Sequence, residues 1–237
     1  GPGGPGDTAP RVEAALAASE VLVGYTTYIQ LVRERYPEKE IVATPMTTEV
    51  ERCRACRELA LGGKTVSMVC SGDAGVYGMA GLVHQVCRDF PELEIQVLPG
   101  VTAATAGAAL LGAPLVHDFA AVSLSDALTP WETIARRLLL AAEGDFVLCL
   151  YNPASKKRPN TLRQAAELLL RRRAPDTPCG LARRIGREGE ESWLCTLGEL
   201  GEQSADMFTT VFVGNSQTQV VNGRLVTPRG YEGKGTL

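Results

Sequence analysis

Two glycine-bearing segments hold the residue types best suited to chemistry. Ser71-Gly-Asp-Ala-Gly-Val-Tyr-Gly78 and Pro99-Gly-Val-Thr-Ala-Ala104 each follow an apolar run. Glycine lets a ligand approach the main chain closely. Asp73 can accept hydrogen bonds from a hydroxyl or an ammonium group, with capping of the next helix as the competing role. Thr102 has the same two readings. Open α/β sheets bind ligands at the C-terminal ends of their strands, so two such loops on neighbouring strands favour a crevice. Gly1-Pro-Gly-Gly-Pro-Gly6 also fits the G-x-G-x-x-G spacing. A dinucleotide site needs a strand before that motif and an acid after the second strand. Here the second strand is followed by Gly24-Tyr25, and the absence of a Lys-Ser/Thr pair excludes a Walker loop. A turn of this composition ordinarily follows a strand, so one is expected before Gly1, outside the given residues.

In the second half, Tyr151-Asn-Pro153 ends an apolar run. A residue before proline is pushed toward extended backbone, so Asn152 is expected extended, its backbone groups free of a helix. Arg158 follows. Arg171-Arg-Arg173 reads as a solvated helix end that complements the helix dipole. Arg183, Arg184 and Arg187 follow the next strand and are better placed to meet anions. His84 and His117 read as structural. No Ser/His/Asp set has a convincing context, so hydrolase chemistry is unsupported. Tyr151 has Ser155, not Lys, four residues on, which counts against a nicotinamide-dependent oxidoreductase.

The elements that must position these loops alternate. The pattern predicts helices over 10–19, 26–34, 49–62, 78–87 and 102–111, and strands over 21–24, 41–43, 64–70 and 95–98. Such alternation implies βαβ units and a parallel sheet. After Gly112 the pattern changes, with a crossover at 115–122 dividing the chain into 1–117 and 118–237. The second half predicts an extended stretch over 118–125, a helix from Trp131, strands over 145–151, 179–183, 192–196 and 209–213, and a helix over 161–173. Val220-Val-Asn-Gly-Arg-Leu-Val226 predicts a hairpin, because Asn-Gly supplies the two positive-φ residues of a type I′ turn. The second sheet is therefore expected to be mixed.

Composition limits the possibilities. The chain has 237 residues, a formal charge of −3, 45% hydrophobic and 22% charged residues. These values fit a globular protein with a sizeable core and exclude a disordered chain. Near-neutral charge argues against a protein that grips nucleic acid along its length. The cations are 19 Arg and 5 Lys, and arginine suits bidentate contact with carboxylates. Seven cysteines, several in apolar runs, read as buried free thiols in a reducing compartment. Only Cys53 and Cys56 have metal-like spacing, and no second pair completes a zinc site. No apolar run reaches the roughly 20 residues that span a bilayer, and with no signal peptide evident the expected compartment is the cytoplasm.

Several segments occur in a telling order: Gly1-Pro-Gly-Gly-Pro, Ser71-Gly-Asp-Ala-Gly-Val-Tyr-Gly-Met-Ala, Pro99-Gly-Val-Thr-Ala-Ala, Ser123-Leu-Ser-Asp-Ala-Leu-Thr-Pro-Trp-Glu, Leu150-Tyr-Asn-Pro-Ala-Ser, Asp206-Met-Phe-Thr-Thr and Thr227-Pro-Arg-Gly-Tyr. Together they resemble the tetrapyrrole methylases over nearly the whole chain, in the branch that methylates C-17 of a precorrin-3 type macrocycle. The resemblance implies a two-domain α/β fold with a parallel-sheet first domain and a mixed-sheet second domain. It implies S-adenosylmethionine in the cleft between domains, usually in a homodimer, and a cobalamin-pathway step that couples methylation to ring contraction. Carried over by position, the cofactor site comprises Pro2, Ser71, Gly72, Asp73, Val76, Thr102, Ala103, Asn152 and Gly186. Relatives often carry Met at the place of Asn152, and an acid at the place of Gly4. No residue is assigned as acid or base for contraction. The macrocycle carries many carboxylates, so Arg158, Arg183, Arg184, Arg187 and Arg229 are candidate clamps. A related methylase acting at another corrinoid carbon, an NAD-dependent oxidoreductase and a non-catalytic tetrapyrrole carrier remain the alternatives. Whether the substrate is metal-free or cobalt-bound stays open.

Overall fold

The structure is a computed structural model that describes residues 1–231. It divides into two compact units, Gly1–Thr102 and Ala103–Leu237. This division falls earlier than the 115–122 crossover expected from the pattern, and the packing of one helix explains why. Helix α5 (Ala103–Leu111) buries Ala103, Ala104, Ala108 and Leu111 against Ala182, Phe212 and Leu225 of the second unit. Its small residues permit that approach. A Cβ on Gly107 would lie 3.0 Å from the Phe212 ring.

The first unit runs α1 (Pro10–Ala18), β1 (Val21–Tyr25), α2 (Thr26–Arg33), β2 (Glu40–Thr44), α3 (Glu49–Leu61), β3 (Val66–Val69) and α4 (Ala80–Val86). Pro10 opens α1, where its missing N–H costs nothing. The three strands form a parallel sheet in the order β2-β1-β3. Successive side chains of a strand point to opposite faces, and β1 divides its apolar residues accordingly. Leu22 packs with Leu16, Ile29, Val32 and Tyr36, whereas Val21 and Val23 pack with Cys56, Val66 and Met68. The strand expected over 95–98 makes no ladder. Its apolar Ile95, Val97 and Leu98 suit a strand, but among the described residues β3 pairs only with β1, and no strand there hydrogen-bonds this segment.

In the second unit, strands β5 (Phe119–Ser123), β6 (Val147–Tyr151), β7 (Pro178–Arg183), β8 (Glu191–Thr196) and β9 (Thr209–Val213) form a mixed sheet in the order β5-β6-β9-β7-β8. Among the described residues, only the β5–β6 pair of this five-stranded sheet is parallel. Alternation again sorts the core. Leu148, Leu150, Leu181, Val211 and Val213 face helices α6 (Trp131–Glu143), α7 (Thr161–Leu169) and α8 (Leu197–Leu200). Cys149, Ala182 and Phe212 face α5. Full burial of such a side chain contributes about 1.5–3 kcal/mol. Helix α7 ends sooner than the expected 161–173. Arg173 leaves the helix to donate to the carbonyls of Phe146, Val213 and Gly214, so its charge is partly buried rather than solvated. The hairpin forms as β10 (Gln219–Val221) and β11 (Arg224–Val226). Asn222 and Gly223 have φ of 50° and 73°, and β11 also pairs in parallel with the short β4 (Gly112–Ala113). Among the described residues, no helix is long and apolar enough to cross a membrane.

Candidate functional site

In the first unit, three glycine loops meet main chain to main chain. The loop after β3 turns at Gly72, with φ of 76°. A Cβ on Gly72 would lie 2.9 Å from the Gly1 Cα, and one on Gly100 would lie 2.2 Å from the Gly72 carbonyl oxygen. No side chain fits at either place. The Ser71 hydroxyl donates to the Gly1 carbonyl at 3.4 Å. Asp73 fastens the other pair of loops. Its Oδ1 accepts from the Gly75 amide at 2.8 Å, and its Oδ2 from the Gly100 amide at 2.9 Å. The sequence left Asp73 between ligand and helix cap. The structure shows it is not the cap, because α4 begins only at Ala80 with Met79 as its N-cap. A carboxylate has about four lone-pair sites, so two remain for a hydroxyl or ammonium group. Val76 stands exposed beyond it, and Tyr77 adopts φ of 54°.

Sequence reasoning missed Arg52. It lies in α3, almost wholly buried at 3% exposure, and makes no ion pair among the described residues. Its Nε donates to Thr44 Oγ1 at 2.7 Å and its Nη2 to the Pro45 carbonyl at 2.8 Å. Nη1 approaches Met79 Sδ at 4.0 Å, and the guanidinium lies 5.9 Å from the Tyr25 ring centre. Arg52 thus ties the C-terminal ends of β1 and β2 to the far end of the glycine loop. The available signal was its four-residue spacing from Cys56, which sets it in the buried stripe of α3. Cys53 and Cys56 are free and buried. Burial pushes the Cys53 thiol up to about 11 and the Cys56 thiol up to about 12. Among the described residues, no group of three or more His, Cys, Asp or Glu is placed to hold a metal.

In the second unit, the loop after β6 is stitched to the end of β5. Asn152 is not extended as expected, having φ of 52°. Asparagine tolerates that left-handed region better than most residues, and its Nδ2 is held by Ser123 Oγ at 3.0 Å. The Leu124 amide donates to the Tyr151 carbonyl at 2.8 Å. Arg158 donates to the Leu124 carbonyl and pairs with Asp126 at 3.3 Å. The Ser123-Leu-Ser-Asp126 and Tyr151-Asn-Pro153 segments are therefore one local assembly, which also brings in Arg158.

Of the other candidate clamps, Arg183 ends β7, and Arg184 and Arg187 sit on the turn that follows it. Arg183 pairs with Glu191 and lies 5.3 Å from the Trp193 ring centre. Arg184 has φ of 53° and makes no ion pair among the described residues. Gly186 has φ of 66°, and its amide donates to Glu190 at 2.6 Å. Arg187 lies over Phe208 at 5.4 Å. Arg229 stands apart and donates to the Val116 carbonyl at 3.1 Å. Of the residues expected at the cofactor, the structure gathers Ser71, Gly72 and Asp73 within the first unit, and Pro2 lines the same cavity as Ser71 and Gly72. Thr102 ends that unit, while Ala103 is buried at the start of the second.

A glycine loop at the C-terminal end of a three-stranded parallel sheet, in a chain whose second unit carries a mixed sheet, defines an α/β protein. The sequence pattern of the Tetrapyrrole (Corrin/Porphyrin) Methylases matches residues 1–201, and the chain belongs to that family. Over 232 residues it is 46% identical to the probable cobalt-factor III C(17)-methyltransferase of Salmonella typhimurium, covering 98% of this chain and 96% of that protein. It is 41% identical over 242 residues to the precorrin-3B C(17)-methyltransferase of a Sinorhizobium species, covering 98% and 95%. The crystal structure of the methyltransferase CobJ superposes with a TM-score of 0.90 at 37% identity, covering 95% of this chain and 96% of that one.

Proposed function

We propose that this chain transfers a methyl group from S-adenosylmethionine to C-17 of a precorrin-3 type tetrapyrrole, with contraction of the macrocycle, as a step of cobalamin biosynthesis. The observation that carries this reading is the similarity, over nearly the full chain, to two methyltransferases named for C-17 of that macrocycle. When bound, S-adenosylmethionine supplies a methyl group on a sulfonium, already a strong electrophile. The chain's own task is then chiefly to align the reactants and exclude water. This suits a site without a strong acid–base constellation.

The donor set fits the cofactor. Asp73 keeps acceptor capacity beyond its two amide bonds for a hydroxyl or the ammonium of the methionyl group. The tight main-chain turn at Gly72 leaves a surface free of side chains. In this reading Pro2, Ser71, Gly72, Asp73, Val76, Thr102, Ala103, Asn152 and Gly186 hold the cofactor. Arg158, Arg183, Arg184, Arg187 and Arg229 meet the carboxylates of the macrocycle. Arg184, with no ion pair of its own among the described residues, needs no rearrangement to do so, whereas Arg158 and Arg183 must share or exchange Asp126 and Glu191. The same reading includes a homodimer acting in the cytoplasm, without nucleic-acid or membrane partners.

Titration calorimetry with S-adenosylhomocysteine and with NADH tests the class. Saturable binding of S-adenosylhomocysteine alone is expected. Binding of NADH alone would replace the methylase with an oxidoreductase, and binding of neither would favour a carrier.

A further inference from the structure

The Ala104 amide has no partner inside its own helix. Helix α5 starts at Ala103, and the first four amides of an α-helix find no carbonyl within it. Ala104 is buried, at 3% exposure, so its N–H requires an acceptor from elsewhere. Such an amide is ordinarily met by a neighbouring Ser, Thr, Asp or Asn. Here the acceptor is the phenol oxygen of Tyr151, at 2.9 Å and 47 residues along the chain. A cap from the adjoining residues would satisfy the amide wherever the helix lay. A phenol on another element satisfies it at one placement only.

Tyr151 is the last residue of β6. It lies two residues beyond Cys149 and so on the same face of the strand, and it packs on the cluster that includes Ala103, Ala104, Ile185 and Phe212. Its ring is rigid and packed, so the place of its oxygen follows the strand. The main chain of Tyr151 makes a second tie, since its carbonyl accepts from the Leu124 amide at 2.8 Å. Asn152 comes next, with φ of 52° and its Nδ2 on Ser123 Oγ at 3.0 Å. One residue therefore fastens both α5 and the end of β5 to the end of β6. Three of the proposed cofactor residues adjoin these ties. Ala103 precedes Ala104, Asn152 follows Tyr151, and Gly186 follows Ile185 of the same cluster.

We infer that Tyr151 is a positioning residue for the cofactor. Its phenol holds the first turn of α5 against the end of β6, so that Ala103 and Asn152 meet S-adenosylmethionine in one fixed geometry. Tyr151 acts through these residues and needs no contact of its own with the cofactor. The inference rests on the reading of the chain as an S-adenosylmethionine-dependent methylase. Tyr151→Phe keeps the ring and its packing and removes only the oxygen. The start of α5 then carries a buried amide with no acceptor, which shifts it about tenfold toward placements where water reaches that amide. A cofactor that binds only the native placement loses affinity by the same factor.

The test measures S-adenosylhomocysteine affinity by calorimetry and amide exchange at Ala104 in the parent, in Tyr151→Phe and in Ile134→Val. Ile134 of α6 is buried on the other face of the sheet, so its variant reports the effect of destabilisation by itself. Tyr151→Phe is expected to raise the dissociation constant about tenfold and to speed exchange at Ala104 about as much. Ile134→Val is expected to lower the melting temperature and to leave affinity and Ala104 exchange as in the parent. Equal affinity in the parent and Tyr151→Phe would overturn the inference and leave the methylase reading standing. So would an equal loss of affinity in Ile134→Val, because the effect would then be one of stability. Unprotected exchange at Ala104 in the parent would overturn the inference without any variant, by removing the bond on which it is built. A folded parent that binds no S-adenosylhomocysteine would overturn the methylase reading, and the inference with it.

Discussion

Replacing Asp73 separates two roles that one carboxylate can play. Its oxygens each accept one main-chain amide, Gly75 at 2.8 Å and Gly100 at 2.9 Å. Asparagine has a single carbonyl oxygen, so it can keep one of these bonds and must set an NH2 against the other donor. A hydrogen bond to a charged group contributes about 1.5–3 kcal/mol. The Gly75 bond is exposed and the Gly100 bond partly buried, which places both near the lower figure. Asp73→Asn should then cost about 1.5 kcal/mol and Asp73→Ala about 3 kcal/mol. If the residues near Gly100 must close on those near Gly72 to bind the cofactor, the S-adenosylhomocysteine dissociation constant rises by about tenfold in Asp73→Asn. Urea unfolding gives the first quantity and calorimetry the second. Unfolding within about 0.5 kcal/mol of the parent in Asp73→Ala would refute the clasp. Lost affinity with unchanged stability would leave Asp73 as a ligand only.

Other perturbations follow from the same structure. Gly100→Ala is expected to destabilise by about 1–3 kcal/mol, since its Cβ meets main chain that cannot swing aside. Gly63→Ala, at φ of 85° in open space, should cost only about 1 kcal/mol in the same urea series. Burial of Glu13 raises its carboxyl, but hydrogen bonds from Tyr36 and Arg35 outweigh burial and hold it below the usual carboxylate range. A lowered folded-state value gives stability that is present above the unfolded-state value and lost as pH falls through the folded one. The melting-temperature gap between the parent and Glu13→Gln should therefore be open at neutral pH and close below about pH 4. Thiol reagents at pH 7.5, about the middle of the physiological range, should leave Cys53 and Cys56 unmodified in the folded protein, because burial holds both as thiols. All seven cysteines should react in denaturant, and rapid native labelling at Cys56 would contradict the packing of α3 against β1.

Much of the fold was legible because its signals are local. Pro10 marks the start of α1, the apolar run at 147–151 becomes the buried β6, and Asn222-Gly223 delivers the turn its conformational freedom predicts. What escaped depends on partners distant in sequence. Residues 95–98 have a strand's pattern, but a ladder exists only where another strand lies alongside. Arg173 reads as solvated until the carbonyls of Phe146 and Gly214, from two other segments, arrive to receive it. Arg52 is surrounded by charged residues in sequence and is buried only by what β1, β2 and Met79 place around it. The glycine loops announced their own flexibility. That Gly1, Gly72 and Gly100 lie against one another is a property of the sheet.

The most direct test of the central claim is product analysis with S-adenosylmethionine carrying a deuterated methyl group, supplied with precorrin-3B in one reaction and with its cobalt-bound counterpart in another. The account predicts that at least one reaction yields S-adenosylhomocysteine together with a ring-contracted macrocycle bearing the label at C-17. Label at a different carbon, or no transfer to either substrate by a folded protein that binds S-adenosylhomocysteine, would contradict it.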